Sequence, residues 1–345
     1  MSLERFIQDM PKVELHVHLE GSIRPVTLLK LAHRNRIKLP VDTVEGLQQW
    51  YTFRDFAHFV KVYDFVSQCI CSPDDIELIG REFLAHQAAQ NVRYSEVTYT
   101  PFTHYRLKGL TFGQQLAALN RARAWAEAEL GVTMRLVLDF ARKAPLEQAA
   151  TVADWAIAAR DEGVVALGLG GIEAGYRAAK FRSVFERVRD AGLARVPHAG
   201  EAVGPASIWG VLWALDATRI GHGVRCLEDL ALVDELRARQ IPLEVCPTSN
   251  VCLGVVPSLA DHPLPRLLDA GLYVTVNSDD PPMFNTTLTG EYLALVRTFG
   301  FGHDVVERLV LNAVRATLLS TAERARLEAE FTTAFADLRT KLLPA

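Results

Sequence analysis

Eight short apolar runs recur along this chain, each followed by a longer amphipathic stretch. They cover residues 13–19, 92–98, 133–140, 164–169, 194–198, 218–222, 242–246 and 272–278. Near-continuous apolar runs suit parallel strands buried on both faces. The stretches between them, among them residues 117–130, 146–162, 180–191, 227–239 and 264–270, carry helical spacing. Gly131, Gly163, Gly192 and Gly271 each stand where a helix ends before a strand begins. Strand–helix alternation repeated eight times predicts an α/β fold, a (β/α)8 TIM barrel, as a single domain over residues 1–345. An open doubly wound sheet is the alternative. Residues 23–91 are too long for one crossover helix. Several helices are expected there, including 53–67 and 74–90, as an insertion over the barrel mouth. Residues 305–343 are expected to add C-terminal helices outside the barrel.

The positions of the polar residues favour the closed barrel, whose catalytic groups sit at the C-terminal strand ends. The first run holds His16 and His18, which share one face of a strand and begin a plausible zinc site. Later runs end in Gly170-Gly171-Ile172-Glu173, His198-Ala199-Gly200-Glu201, Gly221-His222-Gly223, Cys246-Pro247-Thr248-Ser249-Asn250 and Asn277-Ser278-Asp279-Asp280-Pro281. Each has a bland reading alone. A lone buried histidine is ordinarily a hydrogen-bonded core residue, and an Asp-Asp-Pro turn is ordinarily a turn or cap. Their coincidence at successive strand ends is hard to reach by chance. His33, His58, His86, His104, His262 and His303 fall outside these ends and read as surface or packing residues.

Hydrophobic residues make up 49% of the chain, enough for one large core. A net charge of −4 argues against a general nucleic-acid binder. No apolar run approaches the roughly 20 residues that span a bilayer, so no membrane partner is expected. The N-terminal stretch lacks a signal-like apolar run, and a cytoplasmic location is the expectation. Five cysteines without a C-x-x-C pair read as reduced, partly buried thiols.

Five stretches in order resemble the adenosine deaminase family of the amidohydrolase superfamily. They are Pro11-Lys12-Val13-Glu14-Leu15-His16-Val17-His18-Leu19-Glu20-Gly21-Ser22, His198-Ala199-Gly200-Glu201, Arg219-Ile220-Gly221-His222-Gly223, Cys246-Pro247-Thr248-Ser249-Asn250 and Ser278-Asp279-Asp280-Pro281. The resemblance implies one Zn2+ per chain, held by His16, His18, His198 and Asp279. It implies that Glu201 gives a proton to the purine ring, that His222 orients the attacking water, and that Asp279 flanks it. Asp280 would meet purine N7 and the Gly171 backbone N3. Purine N7 and a carboxylate are both acceptors, so Asp280 is expected to be kept protonated beside the charged Asp279.

The implied reaction is hydrolytic deamination of a purine nucleoside, a small-molecule partner. Adenosine or 2′-deoxyadenosine, giving inosine or 2′-deoxyinosine and ammonia, ranks first. The alternatives are aminodeoxyfutalosine, a menaquinone-pathway nucleoside with a bulky benzoate on its 5′ side, and then adenine. Glu20 occupies the place of an Asp that contacts the ribose 5′-hydroxyl in animal adenosine deaminases. Adenine deaminases of the family carry Ser-Ser-Glu where this chain has Gly170-Gly171-Ile172-Glu173. The glycines leave room for a nucleoside. The rival from another class is a binding protein that has lost catalysis, although such loss ordinarily deletes a ligand or the acid.

Overall fold

The computed structural model describes residues 3–343. Met1, Ser2, Pro344 and Ala345, which the 1–345 domain expectation includes, lie outside the described residues. Eight strands form one parallel sheet in chain order: β1 (Lys12–His18), β2 (Val92–Tyr99), β3 (Thr133–Leu138), β4 (Val164–Leu169), β5 (Ala194–Ala199), β6 (Ile220–His222), β7 (Leu243–Val245) and β8 (Val274–Val276). Strand order alone fits an open sheet or a barrel. Closure comes from the residues after β8. The His18 amide donates to the Asp279 carbonyl at 2.9 Å, and the Asp279 amide donates to the His16 carbonyl at 3.1 Å. Asn277 adds its side-chain oxygen, which accepts from the Leu15 and His16 amides at 2.8 and 3.1 Å. The open-sheet alternative is thereby excluded.

Four strands are shorter than their apolar runs, and β3 ends at Leu138, before its run does. β6, β7 and β8 each keep three residues. After β7, Pro247 starts a helix (Pro247–Cys252), where a missing N–H costs nothing. Beyond β8 the Asn277 side chain, not its backbone, carries the bonds to β1.

The 23–91 insertion divides into two parts. Helices Pro25–Arg34, Val44–Trp50 and Phe56–Gln68 come first, and the last of these supplies Phe56, Phe59 and Tyr63 to the cavity at the barrel mouth. The fourth, Pro73–Ala89, does not cover the mouth. It packs against β2 and helix Phe112–Leu130, as the crossover helix of the barrel itself. Two features commit it to that place. Ser72 and Asp75 form a reciprocal capping box at its start. Gly80 lies so near that an added Cβ would stand 3.0 Å from the Cβ of Ala122. The expectation of a mouth insertion over all of 23–91 is therefore too broad, because helix length alone cannot distinguish a lid from a ring helix. Helices Leu288–Phe299, His303–Ala316 and Thr321–Leu342 complete the chain. Among the described residues no helix is long and apolar enough to cross a membrane.

Candidate active site

His16 and His18 point to one side of β1 and meet residues from the ends of β5 and β8. Ligand atoms of His16, His18, His198 and Asp279 all lie within 4.8 Å of one another. The His18 and His198 Nε2 atoms are 3.2 Å apart. Asp279 Oδ1 stands 3.3 Å from His18 Nε2 and 3.4 Å from His16 Nε2. The His16 Nε2 is buried and has no hydrogen-bond partner. Burial pushes the His18 imidazole down to about 4 and that of His198 well below the usual range, so two neutral rings face each other. Donors about 2.0–2.1 Å from a tetrahedral zinc stand about 3.3 Å apart, which matches these spacings. Three imidazoles and one carboxylate are a donor set suited to Zn2+.

The protein packs tightly to hold this cluster. A Cβ on Gly221 would fall 2.7 Å from His16 Cε1, and one on Gly21 would fall 1.6 Å from Asp280 Oδ1. Both glycines of the motifs are thus steric requirements of the site. His222 and Asp279 adopt left-handed backbone conformations, with φ of 62° and 63°. Such conformations cost a non-glycine residue about 1–3 kcal/mol and concentrate at functional sites.

Behind His16 runs a chain of buried charges. Its Nδ1 donates to Glu244 at 2.9 Å. Arg219 donates from Nε to the other Glu244 oxygen at 2.5 Å, from Nη2 to Glu96, and from Nη1 to the Ala316 carbonyl at 2.8 Å. Burial raises the Glu244 pKa, but the Arg219 charge and the His16 bond outweigh it and hold the carboxylate below its usual range. His16 is therefore oriented through Nδ1, leaving Nε2 toward the cluster.

A second relay sets the tautomer of His222. The Leu264 amide can only donate, and it donates to His262 Nδ1 at 3.1 Å. His262 then carries its proton on Nε2 and donates to Asn250 Oδ1 at 3.1 Å. Asn250 Nδ2 in turn donates to His222 Nδ1 at 3.4 Å. Burial pushes the His222 imidazole down to about 3, so it is neutral, with its proton on Nε2. That atom lies 3.8 Å from Glu201 and 3.9 Å from the second Asp279 oxygen.

Glu201 is buried, and burial raises its pKa well above the carboxylate range, with Asp279 and Glu173 adding to the shift. Asp280 is raised too, by burial and then by the charge of Asp279. Asp279 keeps its charge: burial opposes this, but His16 outweighs it. Ser249 also donates to Asp279 at 2.7 Å. The loop carrying Glu201 is pinned from below. Glu173 accepts from the amides of Gly200, Ala202 and Val203 at 2.6, 3.0 and 2.8 Å. Arg142 donates to the His198 carbonyl at 2.5 Å. Glu173→Ala removes three bonds to one loop, and kcat is expected to fall about 10- to 100-fold in steady-state assays, with KM nearly unchanged.

The cluster opens into a cavity of about 350 Å³. Glu201, His222, Asp279 and Asp280 line it, and so does Gly171, at φ 77°. Glu20 does not. It is 1% exposed, and its carboxylate accepts from the Thr100 amide at 3.0 Å, His104 at 3.1 Å and the Tyr63 hydroxyl at 3.3 Å. The structure does not bring Glu20 to the cavity, where the substrate contact expected of it would lie, and its carboxylate meets internal donors instead. Beyond packing, His104 anchors the buried Glu20, and His262 acts through Asn250 on His222.

Sequence reasoning assigns no role to Glu244, Arg219 or Glu173, which the structure places behind the cluster and under the Glu201 loop. A usable signal existed for Glu244 and for Glu96: each is an acid inside an apolar run, and a buried acid needs a partner.

This geometry is a (β/α)8 barrel with a candidate metal site at the strand C-termini, the end where enzymes of this fold carry their active sites. The family model "Adenosine deaminase" matches residues 11–334. Aminodeoxyfutalosine deaminase of Streptomyces coelicolor is 43% identical over 334 residues, covering 96% of this chain and 86% of that protein. Adenine deaminase of Pseudomonas syringae pv. syringae is 39% identical over 314 residues, covering 91% of this chain and 98% of that protein. The crystal structure of adenine deaminase from Arthrobacter aurescens superposes with a TM-score of 0.90 at 35% identity, covering 94% of this chain and 98% of that one. The chain belongs to the adenosine deaminase family of the amidohydrolase superfamily, and it is a hydrolase acting on C–N bonds of purine-like substrates.

Proposed function

We propose that this enzyme removes the 6-amino group of a purine nucleoside extended at its 5′ side, with aminodeoxyfutalosine as substrate. The observation that carries this reading is the enclosure of Glu20. Glu20 is buried behind Thr100, His104 and Tyr63 and is not part of the cavity wall, so its carboxylate is turned away from a substrate's 5′-hydroxyl. The adenosine ranked first from the sequence therefore gives way to its alternative. The 43% identity to the Streptomyces enzyme supports the same choice. So do Arg106 and Lys143, which line the cavity and make no ion pair among the described residues. They suit the carboxylate of a benzoate.

His16, His18, His198 and Asp279 would hold one Zn2+, which when bound supplies a Lewis acid that lowers the pKa of water from 15.7 to about 7. Every other part of the chemistry falls to the protein. His222 presents an Nε2–H that orients the attacking oxygen toward C6. Glu201, kept in its acid form, gives a proton to N1 as the new C–O bond forms. Neutral Asp280 donates to N7 and the Gly171 backbone meets N3. The C6–N bond then breaks as the proton of the new C6 hydroxyl passes to the leaving nitrogen, which departs as ammonia, and the other proton of the attacking water returns Glu201 to its acid form.

The test is a side-by-side assay of ammonia release from aminodeoxyfutalosine, adenosine, 2′-deoxyadenosine and adenine, on protein whose zinc content has been measured. The expected kcat/KM for aminodeoxyfutalosine exceeds that for adenosine by about 100-fold or more. Equal or better turnover of adenosine or adenine would overturn the substrate assignment. Zinc well below one per chain in active protein would overturn the ligand set.

A further inference from the structure

One acid in the cavity has no part in the deamination chemistry. Asp139 follows β3, lines the cavity and is 4% exposed. Its Oδ1 accepts from the Thr100 hydroxyl at 2.6 Å. Its Oδ2 has no donor among the described residues and faces Gly170, where an added Cβ would approach it to 3.0 Å. No cation pairs with it. This oxygen takes no hydrogen bond from the described residues and keeps some exposure at the cavity wall, so a donor on a bound ligand can reach it.

The barrel order shows which part of a purine nucleoside would meet it. With C6 at the metal cluster, Glu201 after β5 lies on the N1 edge and Gly171 after β4 on the N3 edge. Asp280 after β8 lies on the N7 edge. N9 is opposite C6, so its substituent extends across the remaining arc over β2 and β3. The polar side chains that line the cavity there are Thr100, Thr103 and Arg106 after β2 and Asp139, Lys143 and Gln148 after β3, and Asp139 is the one carboxylate among them. Sugar hydroxyls are donors at that position.

We infer that Asp139, held by Thr100, accepts hydrogen bonds from the 2′- and 3′-hydroxyls of the substrate's ribose, so that the enzyme selects ribonucleosides over deoxynucleosides and free bases. The inference rests on the purine orientation of the proposed function. It adds a residue that reads the sugar, independently of the group on the 5′ side. Asp139 makes no contact with the proton-transfer groups, so its contribution is to binding and discrimination. Burial lifts its pKa to about 7, partly offset by the Thr100 bond, so near neutrality it is poised between accepting both hydroxyls and accepting one.

The experiment compares a ribonucleoside substrate with its 2′,3′-dideoxy analogue carrying the same 5′ group, and with adenine, in wild type, Asp139→Ala and Asp139→Asn. Wild type is expected to favour the ribonucleoside by about 10- to 100-fold in kcat/KM, the range of a hydrogen bond to a charged group. Asp139→Ala lowers kcat/KM on the ribonucleoside by the same factor, changes the dideoxy analogue less than about threefold, and brings the ratio near one. Asp139→Asn, which keeps an acceptor oxygen and the fold, falls between. Equal loss on both nucleosides, or wild type indifferent to the hydroxyls, overturns the ribose assignment and leaves the deaminase reading standing. Adenine preferred over every nucleoside overturns the substrate reading itself, which the first two outcomes do not touch.

Discussion

Glu201→Gln is expected to lower kcat by about three orders of magnitude while the zinc content stays at the wild-type value. Glutamine keeps the size and the hydrogen-bonding shape of the side chain and removes only the transferable proton. An aromatic amine is a poor leaving group until the ring nitrogen carries that proton, so the loss falls on the chemical step and not on binding. The sign of the pH dependence follows from the raised pKa. The acid form persists at neutral pH, and activity falls as pH rises through the Glu201 pKa. The same shift bears on stability. A buried acid whose folded pKa is raised binds more protons folded than unfolded, and its contribution to stability is lost as pH rises through that folded pKa. Glu201→Gln should therefore melt no lower than wild type at alkaline pH. A variant with wild-type kcat would remove Glu201 from the mechanism; one that also lost zinc would assign it to the cluster.

Arg219→Ala is the second large effect, and it falls first on stability. The guanidinium lies between Glu244 and Glu96, both fully buried. Removing it leaves two carboxylates without a counter-charge, a change that costs about 3–5 kcal/mol when one partner of a buried pair is deleted. An apparent melting temperature lower by about 5–10 °C is expected in a thermal melt. A further consequence distinguishes this from ordinary destabilisation. Glu244 would no longer be held as an anion toward His16 Nδ1, and zinc affinity should drop about 10- to 100-fold in chelator competition. Arg219→Lys keeps the charge but presents one nitrogen where three donors are used, so it should recover stability more than zinc affinity. Unchanged zinc affinity in both variants would confine Arg219 to the fold.

Much of this architecture was legible along the chain. The eight apolar runs correspond to the eight strands, within a few residues at their ends. The glycines at 131, 163, 192 and 271 all take positive φ where helices give way to strands. His16 and His18 face one way because alternation along a strand is a local rule. Boundaries failed where tertiary bonds compete with local ones, as at Asn277, whose side chain replaces the ladder. The helix 73–89 was found but misplaced, since amphipathic spacing says that a helix has a partner and not which one.

The chain by itself determined the number of strands, the paired histidines and the order of the polar strand ends, because each depends on residues within a few positions of one another. Only the tertiary structure decided that Glu20 turns inward, that Glu244 grips His16 from 228 residues away, that His262 sets the proton of His222, and that Asp139 faces the cavity. Those outcomes depend on which side chains meet when the barrel closes, and a difference of one methylene or one rotamer changes the answer without altering any local pattern.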